Sequence, residues 1–251
     1  MVRVTREGPV ATVQLSHPPV NAISQDVLEG LLESFRALQQ DETARVVVLT
    51  GEGAIFSAGA DLASAAQTGP LPLMRRGREA YQELWGFPKP VIAAVNGLCV
   101  GGGLELALLA DLRICAQSAR FGQPEINLGI IPGWGGTQRL PAAIGQQRAT
   151  ELILSGRLMR AEEAEAAGLV LKSYPDEELR DQARNLARRL AEKPPLALAA
   201  AKAALRTWAE AGPVAGHRSE GEAMERLTQT QDAAEGVMAF LQKRRPQFTG
   251  R

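Results

Sequence analysis

The stretch KPVIAAVNGLCVGGGLELALLADLRICA, residues 89–116, decides the architecture. Val91–Val95 is a continuous apolar run ended by Asn96-Gly97, which reads as a buried strand closed by a turn. The glycine triplet Gly101–Gly103 then opens the helical run LELALLAD, and LRICA supplies another strand. Strand, tight turn, helix and strand in such quick succession predict an α/β fold with a largely parallel sheet. The same stretch marks a candidate site. Glycines let a backbone turn sharply or approach a ligand. Glu105, in an otherwise apolar helix, would cost several kcal/mol when ionised unless something compensated it.

Working outward, VRVTREG and VATVQLS alternate with period two around Gly8-Pro9 and predict a hairpin or a pair of strands joined by a turn. After the loop HPPVN, Ser24 can cap a helix whose Val27, Leu28, Leu31, Leu32, Phe35 and Leu38 recur at helical spacing. RVVVLTG reads as a further buried strand. The segment ASAAQTGPLPLM, residues 63–74, is rich in Ala, Gly and Pro and reads as a mobile loop before RRGREAYQELW resumes a helical rhythm. From about residue 146 the pattern is helical, with stops at Gly156 and Gly168. PDEEL puts acidic residues in the first turn of a helix running to about Glu192. The reading divides the chain into a core over 1–195 and a C-terminal helical cap or association region over 196–251.

Composition narrows the function. Lys plus Arg and Asp plus Glu are both 28, so no global field attracts nucleic acid or an anionic membrane. Cys99 and Cys115 lack zinc or CxxC spacing and read as buried free thiols in a reducing compartment. The N-terminus has no apolar core of signal-peptide length, and no window reaches about 18 uninterrupted apolar residues. A cytoplasmic protein is therefore expected. GGGLEL lacks the third glycine of GxGxxG, and GxxxxGK[ST], GxSxG and HExxH are absent. His17 and His217 have no ligand pattern around them, and no metal site is expected.

Three further features carry chemistry. A helix starting near Gly102 leaves first-turn N–H groups free to face a developing oxyanion, although the triplet also serves as a plain strand-to-helix turn. In AIFSAGADL, Ala60 is small enough for its N–H to approach a ligand, while Asp61 can simply cap the segment after it. Glu125 stands after Pro124 in a glycine-rich segment. Two glutamates on separate elements can share general acid and base work when their environments split their pKa values, although either alone could be a salt-bridged surface residue.

Read together, FSAGADL, residues 89–116, FGQPEINLGIIPGWGGTQRL and AEEAEAAGLV closely resemble the enoyl-CoA hydratase/isomerase, or crotonase, family. The match is collinear from the N-terminal strands to EGVMAFLQKRRPQF. The resemblance implies a crotonase-like α/β fold, the ββα spiral of the ClpP/crotonase type, with a C-terminal helical region. It implies that the Ala60 and Gly102 N–H groups hold a thioester carbonyl, that Glu105 activates water at the β carbon, and that Glu125 delivers a proton to the α carbon. Ala58, Asp61, Leu62, Trp134 and Lys243 are the matching candidates for contact with the acyl-CoA. Arg75, Arg76 and Arg78, and Lys243 with Arg244 and Arg245, are candidate phosphate partners. Trp134 stands where the family often has a smaller residue; it could narrow the acyl pocket or pack beneath the loop. The implied reaction is hydration of a trans-2-enoyl-CoA without metal or redox cofactor, coenzyme A being part of the substrate. Isomerases of the family often need only the carboxylate matching Glu125, so double-bond isomerisation is the alternative reaction, and a silent acyl-CoA-binding subunit the alternative role. The implied assembly is a trimer or a dimer of trimers.

Overall fold

The computed structural model describes residues 1–251, apart from the side chains of Ala65, Gln67 and Thr68. The chain opens with the antiparallel pair β1 (Val2–Glu7) and β2 (Val10–Leu15), succeeded by α1 (Gln25–Gln40), whose first turn is capped by Ser24. Three turns of a ββα spiral come next. The first is β3 (Val46–Gly51), β4 (Ile55–Ser57), α2 (Leu62–Thr68) and α3 (Pro70–Trp85). The second is β5 (Val91–Val95), β6 (Leu98–Val100) and α4 (Gly102–Ala107). The third is β7 (Leu112–Ala116), β8 (Arg120–Gly122), a 3-10 turn over Pro124–Leu128, α5 (Gly136–Ile144) and α6 (Gln146–Ser155). The short elements β9 (Met159–Arg160), α7 (Ala161–Ala166) and β10 (Ser173–Tyr174) close the sheets. The chain ends in α8 (Leu179–Ala191), α9 (Pro195–Leu227) and α10 (Gln231–Leu241).

The first strand of each turn enters a six-stranded sheet, ordered β1-β2-β3-β5-β7-β10, and the second enters a four-stranded sheet, β4-β6-β8-β9. All pairings from β2 to β10 in the large sheet are parallel, as are β4–β6–β8 in the small one. The continuous apolar runs are a consequence of this layering. Val46 and Val48 face α8 through Ala183 and Ala187, while Val47 and Leu49 face the main core with α1. A parallel strand covered on both sides has no solvent face on which to place polar residues.

Two expectations need correction. Residues 63–74 are helical rather than a loop. Asp61 caps α2 by accepting the Ser64 N–H at 3.0 Å, and Pro70 starts α3 at the position where a missing N–H costs nothing. Gly69, at φ +82°, separates the two helices. The acidic residues of PDEEL precede the helix instead of forming its first turn; α8 starts at Leu179, and Asp176 accepts the Ser118 N–H.

Helix α9 kinks at Gly212, beside Pro213. It is tied to the sheet by Lys202, whose Nζ donates to Asp111 Oδ2 at 2.7 Å and to the Lys89 carbonyl at 3.0 Å. Cys99 and Cys115 are buried and unpaired. Among the described residues, no helix is long and apolar enough to cross a membrane, and no group of three or more His, Cys, Asp or Glu is placed to hold a metal ion.

Candidate active site

Three parallel strands of the small sheet end on the same side. The segments leaving β4, β6 and β8 therefore lie next to one another, at the carboxyl ends of strands where open α/β folds gather their ligands. From β4 comes Ala58–Asp61, from β6 the glycine triplet, and from β8 the sequence Gln123-Pro124-Glu125.

The first two segments bring two backbone amides together. A Cβ built on Gly59 would lie 3.2 Å from the Gly102 nitrogen, and one built on Gly102 would lie 3.4 Å from the Ala60 nitrogen. Gly59, at φ +93°, and Gly101, at φ +53°, take backbone conformations that side chains disfavour, and this allows the close approach. The neighbours of Ala60 are occupied: Ile23 N–H donates to the Gly59 carbonyl and Asp61 N–H to the Ile23 carbonyl. That ladder turns the Ala60 N–H the other way. Gly102 N–H opens a helix and has no acceptor within it. Among the described residues neither N–H donates a hydrogen bond.

The carboxylates arrive from the second and third turns. Glu105, on α4, is only 2% exposed. Its Oε1 accepts the Trp134 and Gly136 N–H groups, each at 2.7 Å. Its Oε2 makes no such bond, and since no fully buried side-chain polar atom among the described residues lacks a partner, Oε2 keeps some accessible surface. Glu125 leans over the triplet, with its Oε1 3.2 Å from where a Gly101 Cβ would stand. The buried Gln123 amide lies against this carboxyl group, 2.9 Å from Oε1 and 3.2 Å from Oε2.

Burial pushes both glutamates above the usual carboxylate range, but their surroundings split them. For Glu105 the two backbone donors and the Arg139 guanidinium oppose burial and favour the ionised form. At Glu125 burial is opposed by a hydrogen bond from its own backbone N–H and reinforced by the Glu105 charge, and the carboxyl is pushed up to about 7. The pair therefore loses its first proton at Glu105 and keeps its second on Glu125 up to near neutrality.

The remaining candidates are distributed unevenly. Ala58 donates its N–H to the Val20 carbonyl, Asp61 caps α2, and Leu62 is half-exposed at the start of that helix. Trp134 is buried against α3 and α4. Arg76 is engaged by Glu29, and Lys243 is exposed beyond α10. Sequence reasoning missed four contributors. Gln123 and Gly136 touch the glutamates, Arg139 donates to the Trp134 carbonyl at 3.0 Å, and the buried Tyr81 hydroxyl donates to the Gly102 carbonyl at 2.8 Å. A glutamine beside Pro-Glu was the available signal for Gln123; nothing local marks Tyr81.

The family model described as enoyl-CoA hydratase/isomerase matches residues 5–251. The chain is 42% identical to the 2,3-dehydroadipyl-CoA hydratase of Escherichia coli K12, over 99% of this chain and 98% of that protein. It is 40% identical to a probable enoyl-CoA hydratase of Bacillus subtilis, over 96% of this chain and 95% of the relative. The crystal structure of an enoyl-CoA hydratase from Bacillus anthracis superposes with a TM-score of 0.96 at 38% identity, covering 100% of this chain and 99% of the other.

Proposed function

The chain belongs to the enoyl-CoA hydratase/isomerase family, and we propose that it hydrates trans-2-enoyl-CoA thioesters to 3-hydroxyacyl-CoA by syn addition of water. The observation that carries this reading is the pairing of two buried glutamates, both raised but set in different surroundings, beside two free backbone amides. The thioester oxygen accepts the Ala60 and Gly102 N–H groups as negative charge develops on it; one such donor is worth about 3 kcal/mol in the transition state. Ionised Glu105 holds a water on Oε2 and takes its proton as the hydroxyl oxygen bonds to the β carbon. Protonated Glu125 gives its proton to the α carbon. One carboxyl gains a proton and the other loses one, so the net change is addition of water, and proton exchange with solvent resets the pair. Among relatives, proteins named as hydratases support the same choice.

The test is loss of the enoyl absorbance of crotonyl-CoA, monitored across pH. Hydration requires Glu125 protonated and Glu105 ionised, so kcat/KM should fall roughly tenfold per pH unit above about 7 and fall again on the acid side as Glu105, itself raised by burial, takes up its proton. A folded protein that binds crotonyl-CoA but leaves it unhydrated would end this reading in favour of isomerisation or silent binding.

Assembly with further copies of the chain is part of the proposal. Trp208 and Leu205 on α9 and Phe240 and Leu241 on α10 are exposed, Phe240 at 82%, and such apolar faces mark association surfaces. Sedimentation as a trimer or a larger multiple is the expected result; a monomer at micromolar concentration would overturn it.

A further inference from the structure

Trp134 occupies the wedge between α3 and α4, and two glycines make room for it. A Cβ on Gly77 would lie 2.5 Å from Cζ2 of the indole, and a Cβ on Gly102 would lie 2.7 Å from its Cε3. Real side chains do not approach so closely, so each helix presents bare backbone to one edge of the ring. The indole N–H donates to the Met74 carbonyl at 3.1 Å, and the ring meets Tyr81 at 5.0 Å between centroids. Trp134 is 3% exposed. Its own N–H is one of the two that hold Glu105.

Beyond the ring the packing opens. A groove of about 980 Å³ runs between α3, α5 and α9, lined by Trp85, Leu108, Leu198 and Leu205 and by Trp134 itself. None of Glu105, Glu125, Ala60 or Gly102 lines it. Trp134 thus borders the groove with its side chain while its backbone N–H holds Glu105. Because the Trp134 amide bonds to Glu105 Oε1, the ring belongs to the same residue that holds the carboxylate assigned to the β carbon under the proposed function.

We propose that Trp134 sets the acyl chain length, favouring short enoyl groups and closing the passage from the catalytic cleft to the groove behind it. This rests on the thioester placement given under the proposed function. The indole is a fixed wall: swinging it out would break the bond to Met74 and uncover both glycine faces, losing contacts across a large buried aromatic surface. Removing the ring joins cleft and groove, and the groove's apolar lining then receives longer tails.

The experiment measures two series on the wild type, Trp134→Phe and Trp134→Ala. One is calorimetric binding of saturated butyryl-, hexanoyl- and decanoyl-CoA; the other is hydration of the corresponding trans-2-enoyl thioesters. The wild type should favour the four-carbon over the ten-carbon thioester at least tenfold in both. Trp134→Ala should shrink that ratio by a factor of ten or more, and Trp134→Phe, which keeps a smaller ring, by less. Should the alanine variant fold poorly, the phenylalanine variant still carries the comparison. A ratio unchanged within twofold in a folded variant overturns the proposal. A binding ratio that shifts in a protein without hydratase turnover upholds the wall while rejecting hydration.

Discussion

Glutamine at position 105 or 125 should lower kcat for crotonyl-CoA hydration by at least about 100-fold, each substitution alone. The geometry explains why the loss would be chemical. In Glu105→Gln the amide oxygen can still accept the Trp134 and Gly136 N–H groups, so the side chain stays in place. Its NH2 then faces the cleft where Oε2 stood, and it cannot take a proton from water. In Glu125→Gln the size is kept, but the group has no proton acidic enough for the α carbon. Because the two carboxyls act on one transition state, the double variant should lose little more than the worse single variant. Near-normal hydration by both single variants would refute the two-carboxylate mechanism, whereas loss only in Glu125→Gln would favour the isomerase alternative.

Stability provides a control for the same substitutions. Glu125 is raised from 4.5 to about 7 in the folded chain, so between those values the folded state holds a proton that the unfolded state has released. Its contribution to stability is therefore complete below about 4.5 and is lost as pH rises through about 7. Glutamine does not titrate. Calorimetric Tm values for Glu125→Gln and the wild type should thus diverge in favour of the variant between about pH 4.5 and 7, and the gap should stay constant above that. The expected difference is on the order of 1–2 kcal/mol, reduced from the full shift because the carboxyl is partly solvated. A variant at least as stable as the wild type at pH 8, yet inactive, would locate the defect in the chemistry.

What the sequence makes legible depends on element length and burial. β3 and β5 declare themselves because both faces are covered, and α1 because its buried residues repeat every three to four positions over sixteen residues. β4, β6 and β8 are three residues each, too short for any period to register, yet their parallel alignment is what aligns the site. Helix α2 and the first turn of α3 were hidden by their own punctuation, whereas the rest of α3 was legible from RRGREAYQELW: Gly69 and Pro70 read as loop residues until their positions, at a helix end and a helix start, are known. Glu105 and Gly102 were visible as a local anomaly. The donors that hold Glu105 lie twenty-nine and thirty-one residues away along the chain, and Tyr81 lies twenty-one residues before Gly102. Such partners are fixed by the third dimension and leave no local pattern.

Gly102→Ala is expected to reduce kcat about 100-fold while leaving the N–H group itself intact. The added methyl would stand 2.7 Å from Cε3 of Trp134, inside its van der Waals surface, and 3.4 Å from the Ala60 nitrogen. The indole has little freedom to yield, with Gly77 on its other edge and its N–H bound to Met74. The first turn of α4 must then move, taking the Gly102 N–H away from the thioester oxygen. Loss of one such donor costs on the order of 100- to 1,000-fold in rate. The displacement account makes a demand that simple destabilisation does not. Trp134→Ala in the Gly102→Ala background creates the missing space and should recover at least tenfold in kcat, measured on crotonyl-CoA at pH 7. Full activity in Gly102→Ala alone, or no recovery in a folded double variant, would show that the glycine is not held in place by the indole and that the donor's position is set elsewhere.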